Sequence, residues 1–100
     1  MSTYQLSILT PQGETFRGPV EFLLISGQEG DLGILAKHAP AIVSLKKGTL
    51  KLRTEAGEKF FEHESGVLEV KPNHDVLVLV DDAQAVAGMS SAKEKATAAH

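Results

Sequence analysis

Between Ser26 and Pro40 the chain reads SGQEGDLGILAKHAP, with Gly27, Gly30 and Gly33 three residues apart and His38 close behind. Glycines at that interval can cradle a phosphate, build tight turns, or let a second backbone approach. A phosphate cradle needs exposed amides at a helix start, usually beside a basic side chain, and a Walker loop requires Gly-Lys-Ser or Gly-Lys-Thr after its second glycine. This loop carries Glu29 and Asp31 instead, then runs into Ile34, Leu35 and Pro40. An acidic loop repels anions, so the glycines are expected to supply positive φ angles in a tightly turned crossing between two layers. The second chemistry-bearing set is His38, His63 and His74, with Glu62 and Glu64 flanking His63. A metal centre asks for ligands at close spacing. These histidines share no such spacing and there is no cysteine to help. Each therefore reads as a surface or hydrogen-bonding residue, and Glu62-His63-Glu64-Ser65 as a solvated strand face. No catalytic residue, cofactor or metal is expected.

The elements that must position these residues have period two. Apolar residues alternate in Tyr4-Gln5-Leu6-Ser7-Ile8, at Leu50 and Leu52, and at Val67 and Val70 with one step out of phase. Phe22 to Ile25 and Val76 to Val80 are continuously apolar over strand length, which predicts strands at the centre of a packed layer. Turn signals recur at Pro11-Gln12-Gly13, Gly18-Pro19, Ser26-Gly27, Lys47-Gly48, Ala56-Gly57, Ser65-Gly66 and Pro72-Asn73. Short strands at that spacing imply an all-β antiparallel sandwich or barrel. After Asp81-Asp82 the stretch AQAVAGMSSAKEKATAAH is rich in small residues and has a helical tendency, interrupted by Gly88. Two units follow: a β-sandwich over 1–85 and a short helical or disordered tail over 86–100.

A chain of 100 residues is one domain and can bury about two-thirds of its unfolded surface. Its 42% hydrophobic and 23% charged composition is that of a globular protein. No apolar run is long enough to cross a bilayer. The start MSTYQLSILTPQG predicts no signal or transit peptide, and the lack of cysteine fits a reducing compartment. A net charge of -3 with scattered lysines and arginines argues against a nucleic-acid partner.

The run Gln28-Glu29-Gly30-Asp31-Leu32-Gly33-Ile34-Leu35, followed by His38-Ala39-Pro40 and Leu45-Lys46-Lys47-Gly48-Thr49-Leu50, closely resembles the epsilon-subunit family of F-type ATP synthases. Ser65 to Pro72, then Val76 to Val80 and Asp81, resembles the same family in order and spacing, so the resemblance covers roughly residues 3 to 85. It implies a ten-stranded β-sandwich that turns with the central stalk and touches the gamma subunit and the c ring, with the catalytic head of alpha and beta subunits reached indirectly. It implies a non-catalytic part that couples proton translocation to ATP synthesis, peripheral on the cytoplasmic face of the bacterial inner membrane or an equivalent coupling membrane. By the same resemblance Asp31, His38 and Glu29 contact the c ring, and Thr10 and Val43 face gamma.

The departures from the family are specific. Ala36-Lys37 stands where the family often has Pro-Gly. The family's long C-terminal helical hairpin and its basic nucleotide-binding motif have no counterpart after Asp82, which predicts loss of the inhibitory role. The alternative to the rotor reading is a free-standing β-sandwich binding module of unrelated function.

Overall fold

The computed structural model describes residues 2–87. Its strands are β1 (Tyr4–Thr10), β2 (Gly13–Val20), β3 (Phe22–Gly27), β4 (Gly30–Leu35), β5 (Ala41–Leu45), β6 (Gly48–Thr54), β7 (Gly57–His63), β8 (Gly66–Val70), β9 (Val76–Val80) and β10 (Ala83–Val86). They join in the order β10-β7-β6-β3-β5-β8-β9-β1-β2, with β4 on the other side of β3. All neighbours are antiparallel except β1 and β9.

The path is folded into two layers at β3. Phe22 to Leu24 pair with β6, but Gly27 pairs with Leu45 of β5, where the second layer starts. One layer is β10-β7-β6-β3-β4 and the other β5-β8-β9-β1-β2. Contacts between strands far apart in this order show the closure. The Tyr4 hydroxyl of β1 donates to the Ile34 carbonyl of β4 at 2.8 Å, and Phe16 of β2 meets Phe61 of β7 edge to face, with ring centroids 6.3 Å apart.

Alternation decides what fills the space between the layers. Leu6, Ile8, Leu23, Ile25, Leu50, Leu52, Leu68 and Val78 are all fully buried in one cluster. Each contributes about 1.5–3 kcal/mol relative to exposure. On β8, Leu68 and Val70 point inward and Val67 outward, so the apparent phase slip is an apolar residue on the outer face. Val76 to Val80 behaves likewise: Val76, Val78 and Val80 are core, while Leu79 is 46% exposed. The run is the central strand of its layer, as expected, with one face in the core and the other turned outward.

Ala83 to Val86 is strand rather than helix, pairing from Ala83 opposite His63 to Val86 opposite Phe60. Ladder bonds to β7 outweigh alanine's intrinsic helical preference, which is only a weak prior. The remainder of the expected tail lies outside the described residues.

Tyr4 is the chain's only tyrosine, and burial pushes its phenol well above the ordinary value of about 10. In the unfolded chain the phenol ionises first, so the stability that its neutral burial provides is intact below about pH 10 and is lost as pH rises beyond it. The phenolate absorbance of the native protein should therefore appear only together with loss of the β-sheet circular dichroism. A phenolate titrating near pH 10 with the sheet intact would show that this phenol is not sealed.

Candidate docking site

Three hairpins of one design shape the ends of the sandwich. Their closing pairs are Thr10 with Gly13, Gly27 with Gly30 and Thr54 with Gly57, and each second glycine has φ near +130: 130, 127 and 127°. A side chain is strained at that φ. In the first hairpin the Thr10 hydroxyl donates to the Gly13 carbonyl at 3.3 Å and accepts from the Gln12 N–H at 3.2 Å. Thr54 repeats the arrangement with Gly57 and Ala56.

The glycine loop is thus the β3–β4 hairpin, with Gln28 and Glu29 at its tip, and not a crossing between layers. The crossing is the next segment, Ala36 to Pro40, which carries the chain from β4 to β5. Glu29 and Asp31 are both exposed on the hairpin and line an open groove of about 510 Å³ between β4 and β5. Across that groove stand Ile42 and Val43.

The other expected site residues are distributed around this feature. Thr10 is at the same end of the sandwich, since the pairs Leu45–Gly66, Gly66–Val80 and Leu9–Leu79 carry that end across from β5 to β1. Its hydroxyl already holds its own turn. Val43 packs half-buried against the core, with its Cγ1 facing Gly27. His38 lies beyond the far end of β4, about 13 Å of strand from Asp31. There its Nδ1–H donates to the Ala39 carbonyl at 2.8 Å, and its own carbonyl accepts from His74 Nδ1 at 3.4 Å. The structure brings Glu29 and Asp31 together and leaves His38 with the loop of His74.

Two findings were not anticipated. The first is the outer face of the second layer. Ile42 is 76% exposed, Val67 38% and Leu79 46%, and Val67 stands opposite Leu79, which stands beside Leu9 in the parallel register. The signal was present as the outward half of the apolar runs. The second is His63, which is only 2% exposed. The solvated reading of Glu62-His63-Glu64 holds for the two carboxylates alone, because His63 shares the inward phase of Phe61. Its Nδ1–H donates to the Glu64 carbonyl at 2.9 Å.

No group of histidines and carboxylates among the described residues could hold a metal ion. What remains is a rigid two-layer body with an acidic hairpin at one end and an apolar outer face. Residues 3–86 match the family described as the ATP synthase delta/epsilon chain β-sandwich domain. The chain belongs to this family. It is 33% identical over 99 residues to the ATP synthase epsilon chain of Bacillus subtilis, covering 99% of this chain and 73% of that one. It is 42% identical over 84 residues to that of Desulforamulus reducens and 43% identical over 84 residues to that of Xanthomonas campestris, spanning 61% and 59% of their lengths. Among solved structures it resembles a chain of the Euglena gracilis mitochondrial ATP synthase (OSCP/F1/c-ring), with a TM-score of 0.80 at 22% identity, over 98% of this chain and 66% of that one. A chain of the Tetrahymena thermophila mitochondrial ATP synthase central stalk and c ring matches with a TM-score of 0.69 at 21% identity, over 83% of this chain and 66% of that one. At those identities the likeness is one of fold.

The Ala36-Lys37 departure has a physical reading in this family context. Lys37 adopts φ 66°, the left-handed region that glycine enters without strain and other residues enter at a cost of about 1–2 kcal/mol. Part of that relief is offset by the greater unfolded freedom of glycine, about 0.5–1 kcal/mol. Lys37→Gly is expected to stabilise the domain by about 0.5 kcal/mol, read as a raised urea midpoint with an unchanged slope. A lowered midpoint would mean that the lysine side chain compensates for its own backbone.

Proposed function

We propose that the chain is the docking part of a rotor subunit of the F-type ATP synthase, joining gamma to the c ring without catalysing a reaction itself. The observation that carries this is the largely apolar outer face where exposed Ile42, Val67 and Leu79 lie with half-buried Leu77 and Leu9 around a single acidic residue, Glu69, on a domain whose family is that of the synthase epsilon chain. Exposed apolar residues that are contiguous across strands, rather than scattered, mark a protein interface.

Magnitudes divide the labour between this face and the hairpin. At about 150 mV one charge crossing the membrane releases about 3.5 kcal/mol, so a few protons per step load a stalk with about 10 kcal/mol. A single exposed ion pair contributes at most about 1 kcal/mol. The grip therefore comes from the apolar face against gamma, and Asp31 and Glu29 set register against the loops of the c ring. Ile42 takes the gamma-facing role in place of half-buried Val43. The subunit is peripheral, on the side of the coupling membrane that carries the catalytic head.

Ile42→Asp and Leu79→Asp each place a charge on this face without touching the core. Each is expected to weaken association with purified gamma at least tenfold, measured by calorimetry, while thermal unfolding shifts by no more than about 3 °C. Unchanged affinity in both variants would remove the face from the interface. Asp31→Arg is expected to lower ATP-driven proton pumping by the assembled synthase while leaving hydrolysis by the detached head at its normal rate. Pumping at the unmodified level would sink the assignment of Asp31 to the c ring.

A further inference from the structure

Among the described residues the sheet has three lateral edges, and one of them is defended only by an acidic charge, Asp31, which repels acidic chains but not basic ones. An exposed edge strand is a template for pairing with another chain unless proline, charge, a bulge or brevity blocks it. β2 carries Pro19, an Arg17–Glu14 ion pair at 2.6 Å and a register shift opposite Ile8 and Leu9. β10 is only 4 residues long. β4 has 6 residues, no proline and no lysine or arginine, and it pairs with β3 alone.

The direction of its peptide groups follows from the register. The Ser26 carbonyl accepts from the Lys46 N–H at 3.3 Å, so it points away from β4, and the pair of Ser26 with Asp31 is one that exchanges no bonds. In an antiparallel ladder the two kinds of pair alternate. Leu24 with Gly33 is then of the same kind as Ser26 with Asp31, and the Gly33 N–H and C=O point to the open side of β4. The run closes at Leu35, whose carbonyl takes the His38 N–H at 3.3 Å. Gly33 also keeps the approach low: the Phe22 ring lies over it, and an added Cβ would meet that ring at 3.2 Å.

We propose that the open side of β4 receives an extended basic segment of the rotor partner as an added strand. This rests on the docking role proposed above and specifies how the hairpin holds what it meets. Backbone bonds to Gly33 supply affinity that does not depend on sequence. Specificity comes from the groove beside it, which is lined by Glu29 and Asp31, by Leu32 and Ile42, and by no lysine, arginine or histidine. Alternate residues of a strand share a face. The segment that fits therefore places lysine or arginine against Glu29 and Asp31 and, four residues on, an apolar side chain beside Leu35, which is 62% exposed. A second copy of this chain is the wrong occupant, because it brings the same acidic hairpin and a net charge of -3.

The test is amide hydrogen exchange by NMR on the chain labelled with nitrogen-15, free and then assembled with gamma and the c ring. Strand addition protects the Gly33 amide at least a hundredfold on assembly, while the amide of Ala56 on a remote hairpin keeps its free rate. Glu29→Gln with Asp31→Asn should weaken assembly about tenfold and flatten its salt dependence, with the fold unchanged. Assembly with Gly33 exchanging as in the free chain overturns the added strand and leaves the docking role standing. Failure to assemble with gamma or the c ring overturns both. Protection of Gly33 in the isolated chain, rising with its concentration together with a dimer, identifies a second copy as the occupant and also overturns the proposal.

Discussion

The architecture turns on the absence of a side chain at Gly27. Its peptide pairs with Gly30 on one side and Leu45 on the other, and the adjoining peptides add the bonds from Gln28 N–H to Ser44 and from Lys46 N–H to Ser26. A Cβ there would sit 2.9 Å from the Gly30 carbonyl and 3.6 Å from Val43. A methyl group would push β4 and β5 apart at the point where one sheet becomes two. The acidic hairpin leaves this residue on one side, the strand bearing Ile42 approaches it on the other, and the groove opens between them. The glycine repeat that looked like a phosphate loop is a branching point of backbone.

Strands and turns were legible because they depend on local pattern. Alternation in Tyr4 to Ile8 and the turn signals at Gly13 and Gly57 correspond to real strands and hairpins, since a residue with φ near +130° has to be glycine whatever surrounds it. The misreadings fall where layer packing decides. Val76 to Val80 is central in its layer as expected, but it is apolar on both faces, and sequence alone does not say which face the core covers. His63 is a charged-looking position among carboxylates, yet the phase set by Phe61 turns it inward. Ala83 to Val86 has a helical composition, but β7 offers a row of ladder partners and pairing takes it.

The docking residues were legible only in part, for a related reason. A resemblance in sequence transfers a position, whereas a contact depends on where the side chain points. Of the two residues expected to face gamma, the hydroxyl of Thr10 closes its own turn and Val43 leans on the core. The outward neighbour of Val43, Ile42, is the residue that presents surface. Asp31 and His38 are near in sequence but separated in space by the length of β4, one on the hairpin and the other beside the loop of His74.

This geometry bears on how such a body transmits torque. The apolar outer face lies on β5, β8, β9 and β1, strands whose inward residues Leu45, Leu68, Val78 and Ile8 are locked in the core. A load on Leu79 or Ile42 is therefore passed directly to close-packed interior, which has low compressibility and does not deform gradually. The hairpin is different only towards its tip: Ile34 is fully buried and its carbonyl takes the Tyr4 hydroxyl, so β4 is tied to the core, whereas Gln28 to Asp31 stand exposed. Under the docking role proposed above, a partner held on the stiff layer would load the core directly, and only the exposed tip of the hairpin would be left to adjust to a second surface.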